Sequence, residues 1–196
     1  MIKTKTKTNK LVKIAIFGAV AFVVMLFEFP IYPMPPFLKF DFSDLPALII
    51  AFSLGPIAGI ICELIKNLLY VIVRGSGTGF VGELANFLIG SSLCLAAGVL
   101  YNIHKTKKMA IISLGVATIF MAIVGSIFNY YVLIPFYENA MNFPIEAIVN
   151  MSHAVNSLIV DKFTLILFGI FPFNLIKGII ISIITIIIYK SISKLL

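Results

Sequence analysis

Apolar residues fill this chain in long blocks, without the alternation of a strand or the narrow stripe of a surface helix. Residues 84–103 and 109–137 carry no charge at all. Each is long enough to cross a hydrocarbon core about 30 Å thick, which takes a helix of about 20 residues. A third block, 11–29, has Lys13 and Glu28 near its ends, and a fourth, 163–189, contains a single charge, Lys177. The remaining block, 44–74, is too long for one crossing and is interrupted at Gly55-Pro56, where proline withholds a helix N–H and restricts the residue before it. The pattern predicts six helices at about 10–29, 44–54, 56–74, 80–103, 109–135 and 163–191. The second is short and is expected to tilt or to lie partly behind its neighbours. Pro172 either kinks the last helix or opens its straight part.

Composition fixes the environment of these helices. With 61% hydrophobic residues, 12% charged and a mean hydropathy of +1.12, the chain has more apolar surface than a soluble domain of 196 residues can hide. It is read as an all-α integral membrane protein, one membrane domain over residues 1–196. The first block is not a cleavable signal peptide, because Glu28, Pro30 and a proline-rich segment stand where a small-residue cleavage site would lie.

Charge then orients the bundle. Lys3, Lys5, Lys7, Lys10 and Lys13 precede or open the first helix, Lys105, Lys107 and Lys108 separate the fourth from the fifth, and Lys190 and Lys194 end the chain. Six crossings place all three groups on one side, which the excess of lysine makes cytoplasmic, together with both termini. Asp41, Glu138, Glu146 and Asp161 fall on the other side. The net charge of +7 is accounted for by topology and gives no reason to expect a nucleic-acid partner.

The outer connections, 30–43, 75–79 and 136–162, are longer than the cytoplasmic ones, and long ordered loops are often lids or binding loops. The first holds Pro30, Pro33, Pro35 and Pro36, with Phe29, Tyr32, Phe37 and Phe40 around them. These rings are either an interfacial aromatic belt or, as a group, the roof of a pocket open to the outside. The segment Gly75-Ser76-Gly77-Thr78-Gly79 lacks the lysine and the preceding strand of a phosphate loop and is expected to be a flexible connection.

Lys177 draws the most attention. An ammonium group deep in a bilayer costs about 2.5–3.5 kcal/mol even on a lenient scale, so it needs a polar partner or a wet cavity. Asn174 lies one turn earlier on the same face. Together they form a donor-rich spot suited to a neutral ligand bearing carbonyl groups. The other reading is a packing lysine paired with a carboxylate such as Glu83 or Glu63. Cys62 and Cys94 sit among apolar neighbours and predict no disulfide. His104 and His153 fall on opposite sides of the membrane, so no metal site is expected. No nucleophile–base pair stands out, which argues against an enzyme. Ala15 and Ala19 form a small-xxx-small stripe on the first helix, open either to a partner helix or to packing within the bundle.

One resemblance organises these features. Residues 39–48 (Lys-Phe-Asp-Phe-Ser-Asp-Leu-Pro-Ala-Leu), Gly55-Pro56, Lys66-Asn67-Leu68-Leu69, residues 82–87 (Gly-Glu-Leu-Ala-Asn-Phe), Asn129-Tyr130 and residues 172–178 (Pro-Phe-Asn-Leu-Ile-Lys-Gly) resemble, in order and spacing, the substrate-binding (S) component of energy-coupling-factor (ECF) riboflavin transporters. The likeness runs from the first helix to the C-terminus. It implies a six-helix bundle in the cell membrane that binds riboflavin near the outer face and docks on a transmembrane coupling subunit carrying two ATPases. It implies that Asn129, Asn174 and Lys177 bond the polar edge of the flavin ring, and that Ala15 and Ala19 face the coupling subunit. Glu83 and Asn86 are candidates for the ribityl hydroxyls, with Glu83 alternatively a counter-ion or a purely structural group. Lys39 and Phe40 complete the candidate set. Riboflavin enters as transported ligand, with its phosphate ester FMN left open, and no cofactor is expected. The alternative is an ion-coupled or stand-alone carrier for another planar vitamin, which would call for inverted repeats and a titratable relay.

Overall fold

Gly55 and Pro56 set the centre of the architecture seen in the computed structural model, which describes residues 2–192, with side chains from 7 to 188. Lys194, and the side chains of Lys3, Lys5 and Lys190, lie outside the described residues. Gly55 takes φ 104°, open to glycine at little cost, and Pro56 then starts a new helix with its missing N–H in the first turn, where no partner is needed. The chain reverses there between α2 (Asp44–Leu54) and α3 (Pro56–Arg74). Gly59 and Gly98 allow the close approach. A Cβ on Gly59 would stand 2.7 Å from Ala51 Cβ, and one on Gly98 would stand 2.9 Å from Pro56.

Around this pair stand α1 (Ile2–Met25), α4 (Val81–Ile103), α5 (Lys107–Phe128) and α9 (Phe171–Ile192). α2 packs against α1, α3, α4 and α9 and is buried along almost its whole length, from Asp44 to Phe52. At 11 residues, about 16 Å, it cannot span a bilayer alone and has become the core of the bundle. The five other long helical segments are apolar and long enough to cross. The main core runs through Leu48, Ile50, Phe52, Leu93, Leu114, Met121 and Ile181.

Several boundaries differ from the sequence reading. α1 begins earlier than residue 10 and stops at Met25, after which Phe29–Pro30 (β1) pairs antiparallel with Lys39–Phe40 (β2). The expected loop 136–162 is largely helical. Past α5 the chain makes a wide turn over Asn129–Leu133, closed by Ile134 N–H on Asn129 O, and continues as α6 (Ile134–Met141). The whole run, Lys107–Met141, has 35 residues, about 52 Å, so it exceeds the hydrocarbon thickness and projects beyond it. α7 (Ile145–His153) follows, burying Ile148 and Val149 in a second core with Ile134, Ile159, Leu165 and Ile170. Asp161 then caps α8 (Lys162–Leu165), accepting from Thr164 N–H at 2.7 Å and Thr164 Oγ1 at 2.8 Å, and these donors hold its carboxyl below the usual carboxylate range.

Pro172 neither starts the last helix nor sharply breaks it. A wide turn over Ile166–Ile170, closed by Phe171 N–H on Ile166 O, absorbs the misfit just upstream. The carbonyl that loses its partner to Pro172 is Phe168 O, and Asn156 Nδ2 donates to it at 3.3 Å.

Candidate functional site

The two wide turns frame a cavity at the end of the bundle where these connections gather. Asn129 is the first residue of one turn, and Asn174 lies one helical turn beyond the other. Their amide nitrogens donate to the carbonyls of Gly125, at 2.7 Å, and Ile170, at 2.9 Å. Each nitrogen carries a second hydrogen, and each amide oxygen adds an acceptor. Gly125 serves both residues. Its carbonyl holds Asn129, while a Cβ in its place would stand 2.9 Å from Asn174 Nδ2, so only glycine lets that amide lie against α5.

Lys177 borders the same cavity, one turn deeper on α9, with a side chain 6% exposed. Its partners are not Glu83 or Glu63. The ammonium lies 3.1 Å from Asp41 Oδ2 and 3.0 Å from Asp44 Oδ2. Asp44 Oδ1 accepts from Lys66 at 2.7 Å, and Lys66 also pairs with Glu63. Three carboxylates and two ammonium groups thus interlock at the wall of the cavity, joining α2, α3 and α9 with side chains at most 6% exposed. Asp41, expected among the outer-side acids, is 2% exposed and belongs to this cluster. Its other oxygen accepts the Ser43 N–H at 2.7 Å, which fixes the entry to α2. Desolvated charges of this kind persist because each has opposite charge in contact.

The opposite wall is α4. Gly82, Glu83, Ala85, Asn86, Ile89 and Gly90 border the cavity, a strip about 12 Å long. Asn86 Oδ1 is buried there without a hydrogen-bond partner. Glu83 does not pair with a cation among the described residues. Its Oε2 accepts the hydroxyls of Ser76 and Thr78, both at 2.8 Å. Ser76 Oγ accepts the Phe80 N–H at 2.8 Å and Thr78 Oγ1 the Gly82 N–H at 3.1 Å, so side-chain hydrogen bonds tie the glycine-rich connection to the start of α4.

Lys39 stands at the rim, exposed and paired with Glu28 at 2.7 Å. Phe40 does not border the cavity. Strand pairing turns it inward, where it is 2% exposed and packs against Phe29 and Phe42. Phe37 and Phe173 supply rings to the lining in its stead, together with Tyr70 and Tyr137. The cavity volume is about 250 Å³. A second, apolar cavity of about 200 Å³ adjoins it beneath α6 and α7, sharing Phe37, Thr78, Leu133 and Tyr137. Six of the seven sequence candidates therefore meet at one place, and one does not.

The small residues of α1 divide by direction. Gly18 and Ala21 face inward, with Gly18 against Ile65, whereas Ala15 and Ala19 are exposed on the outer face. Cys62 and Cys94 are free thiols buried in the core.

The chain resembles known proteins over most of its length. Residues 9–189 match the family described as ECF transporter, substrate-specific component. Riboflavin transporter RibU of Staphylococcus aureus is 42% identical over 191 residues, spanning 97% of this chain and 93% of its own. Riboflavin transporter FmnP of Bacillus subtilis is 38% identical over 179 residues, spanning 91% and 88%. A solved S component of a bacterial ECF transporter superposes with a TM-score of 0.74 at 38% identity, over 96% of this chain and 98% of the other. These relatives are named as transporters and not as enzymes. With the family matched over nearly its whole length and the bundle matched in space, this multi-pass membrane protein belongs to the substrate-specific components of ECF transporters.

Proposed function

We propose that this chain is the riboflavin-binding component of an ATP-driven uptake system in the cell membrane. The observation that carries the reading is the meeting of Asn129, Asn174 and Lys177 on one wall of the cavity. The polar edge of the flavin ring presents carbonyl, imide N–H and carbonyl in a row. A row of donor, acceptor and donor complements it, and two amides with an ammonium group supply that set. Asn86 Oδ1, buried without a donor, gains one from a ligand hydroxyl. The aromatic residues Phe37, Phe173, Tyr70 and Tyr137 suit the flat ring. The names of the relatives point to the same ligand.

Both termini lie in the cytoplasm, and the cavity opens to the outside. Lys10, Lys13, Lys105, Lys107 and Lys108 all stand at the end of the bundle away from the cavity, as the excess of lysine on the cytoplasmic side requires. The partner is a transmembrane coupling subunit with two ATPases, and Ala15 and Ala19 on the exposed face of α1 let its helix come close.

One feature favours a second reading. The buried cluster of Asp41, Asp44, Glu63, Lys66 and Lys177 offers titratable groups of the kind an ion-coupled carrier uses. Uptake of riboflavin into proteoliposomes separates the two. The ATP-driven reading expects uptake only with the coupling subunit, the ATPases and ATP, and no response to a proton ionophore. Uptake by the chain alone, abolished by the ionophore, would establish the carrier instead.

A further inference from the structure

Midway along their length α5 and α9 are in close contact. Thr118 Oγ1 and Ser182 Oγ lie 3.2 Å apart, and a Cβ on Gly178 would stand 2.7 Å from the Thr118 side chain. Past this contact, toward the lysine-bearing end of the bundle, a cavity of about 510 Å³ opens among α2, α4, α5 and α9. It is about twice the volume of the one that gathers Asn129, Asn174 and Lys177. Phe52 and Tyr101, stacked with ring centroids 4.4 Å apart, close it toward the core. Ala110 and Ile186 line it farther out, and the exposed Thr106 and Lys107 stand at its rim.

Charge gives the other half of the chemistry. Of the eight Asp and Glu residues in the chain, Glu28, Asp41, Asp44 and Glu83 border the other cavity and Glu63 belongs to its ion cluster. Glu138, Glu146 and Asp161 follow α5 on the outer side. Lys105, Lys107 and Lys108 accordingly pair with no carboxylate among the described residues. Lys107 is also the first residue of a run long and apolar enough to cross the membrane, so the rim sits where hydrocarbon gives way to headgroups. An apolar chamber between helices with a cationic rim at that depth complements an amphiphile with an anionic head.

We propose that this cavity seats one anionic phospholipid of the leaflet on the lysine-bearing side. Its phosphate meets Lys107, and one acyl chain enters between α5 and α9 against Phe52 and Tyr101. The seat goes beyond the riboflavin reading and does not depend on it.

The test is native mass spectrometry of the full chain, released from mild detergent after titration with phosphatidylglycerol or with phosphatidylcholine carrying the same acyl chains. Ammonium acetate at about 0.3 M screens charges that are out of contact. The parent is expected to retain one phosphatidylglycerol, bound about 5-fold or more tightly than phosphatidylcholine. Lys107→Gln should remove most of that preference, and Lys108→Gln, off the rim, should leave most of it. Ala110→Phe puts a ring into the cavity and should lower retention of both lipids. Glycerol phosphate, the headgroup without its chains, should not displace the lipid. A parent without preference, equal effects of the two lysine variants, or displacement by glycerol phosphate overturns the proposal. Full retention by Ala110→Phe also overturns it, since the acyl chain would then lie elsewhere. Should Ala110→Phe not fold, Ile186→Phe fills the same cavity from α9 and takes its place. No lipid retained by the parent, with the coupling subunit lost from co-purification in Ala110→Phe, would give the cavity to a protein partner instead.

Discussion

Lys177 meets a ligand cavity on one side and two carboxylates on the other, and its substitution therefore has two separable effects. Lys177→Met is expected to lower riboflavin affinity by about 5- to 150-fold, the loss of one charged hydrogen bond. It also leaves Asp41 without its cation, so the thermal midpoint in detergent falls as well. Adding Asp41→Asn should restore most of the midpoint without restoring affinity. If the double variant regains binding, Lys177 serves only the packing of α9 on α2. The lone charge in an apolar block made Lys177 legible in the sequence, and Asn174 followed from helical spacing. Its partners were not legible, because Asp41 lies 136 residues away in a loop whose path the apolar pattern does not constrain. Glu63 was a reasonable candidate by burial, yet Lys66 on the next turn of its own helix claims it. Gly125 left no signal at all, since its importance is a contact across helices.

At the scale of elements, prolines shape the site without breaking the helices that carry it. Pro135 and Pro172 each follow a wide turn, and those turns bring Asn129 and Asn174 to the cavity from two helices. The apolar pattern ended the fifth helix at about residue 135, and so missed α6. α7 carried a readable cue in the spacing of Ile145, Ile148 and Val149 after Pro144, but its apolar face is short and has meaning only against the second core. The outward alanines of α1 give an element-level expectation. Replacing Ala15 and Ala19 with leucine should leave flavin binding by the isolated chain intact, because neither residue borders the cavity of Asn129, Asn174 and Lys177 or the apolar one adjoining it. Co-purification of the coupling subunit and ATP-dependent uptake should both fall. Loss of binding by the isolated variant would mean that this face packs within the bundle, and undiminished uptake would place the docking surface on another helix.

Across the whole molecule, Lys10, Lys13, Lys105, Lys107 and Lys108 stand at the end away from the cavity that gathers Asn129, Asn174 and Lys177, and the proposed topology follows from that separation. Cys62 and Cys94 are fully buried, so a single added cysteine reports its own side. Ser157→Cys, in the outer connection, should react with a membrane-impermeant maleimide in intact cells. Lys107→Cys should react only after permeabilisation, and the reverse pattern would invert the topology. The most direct measurement of the central claim is a titration of the purified parent chain with riboflavin, thiamine and biotin, followed by flavin fluorescence and by competition. Riboflavin is expected to saturate the chain at submicromolar concentration with its fluorescence quenched against the aromatic lining, and Asn174→Ala to weaken that binding while thiamine and biotin fail to compete. No quenching at submicromolar flavin, with thiamine or biotin bound well, would contradict the assignment of this cavity to a flavin.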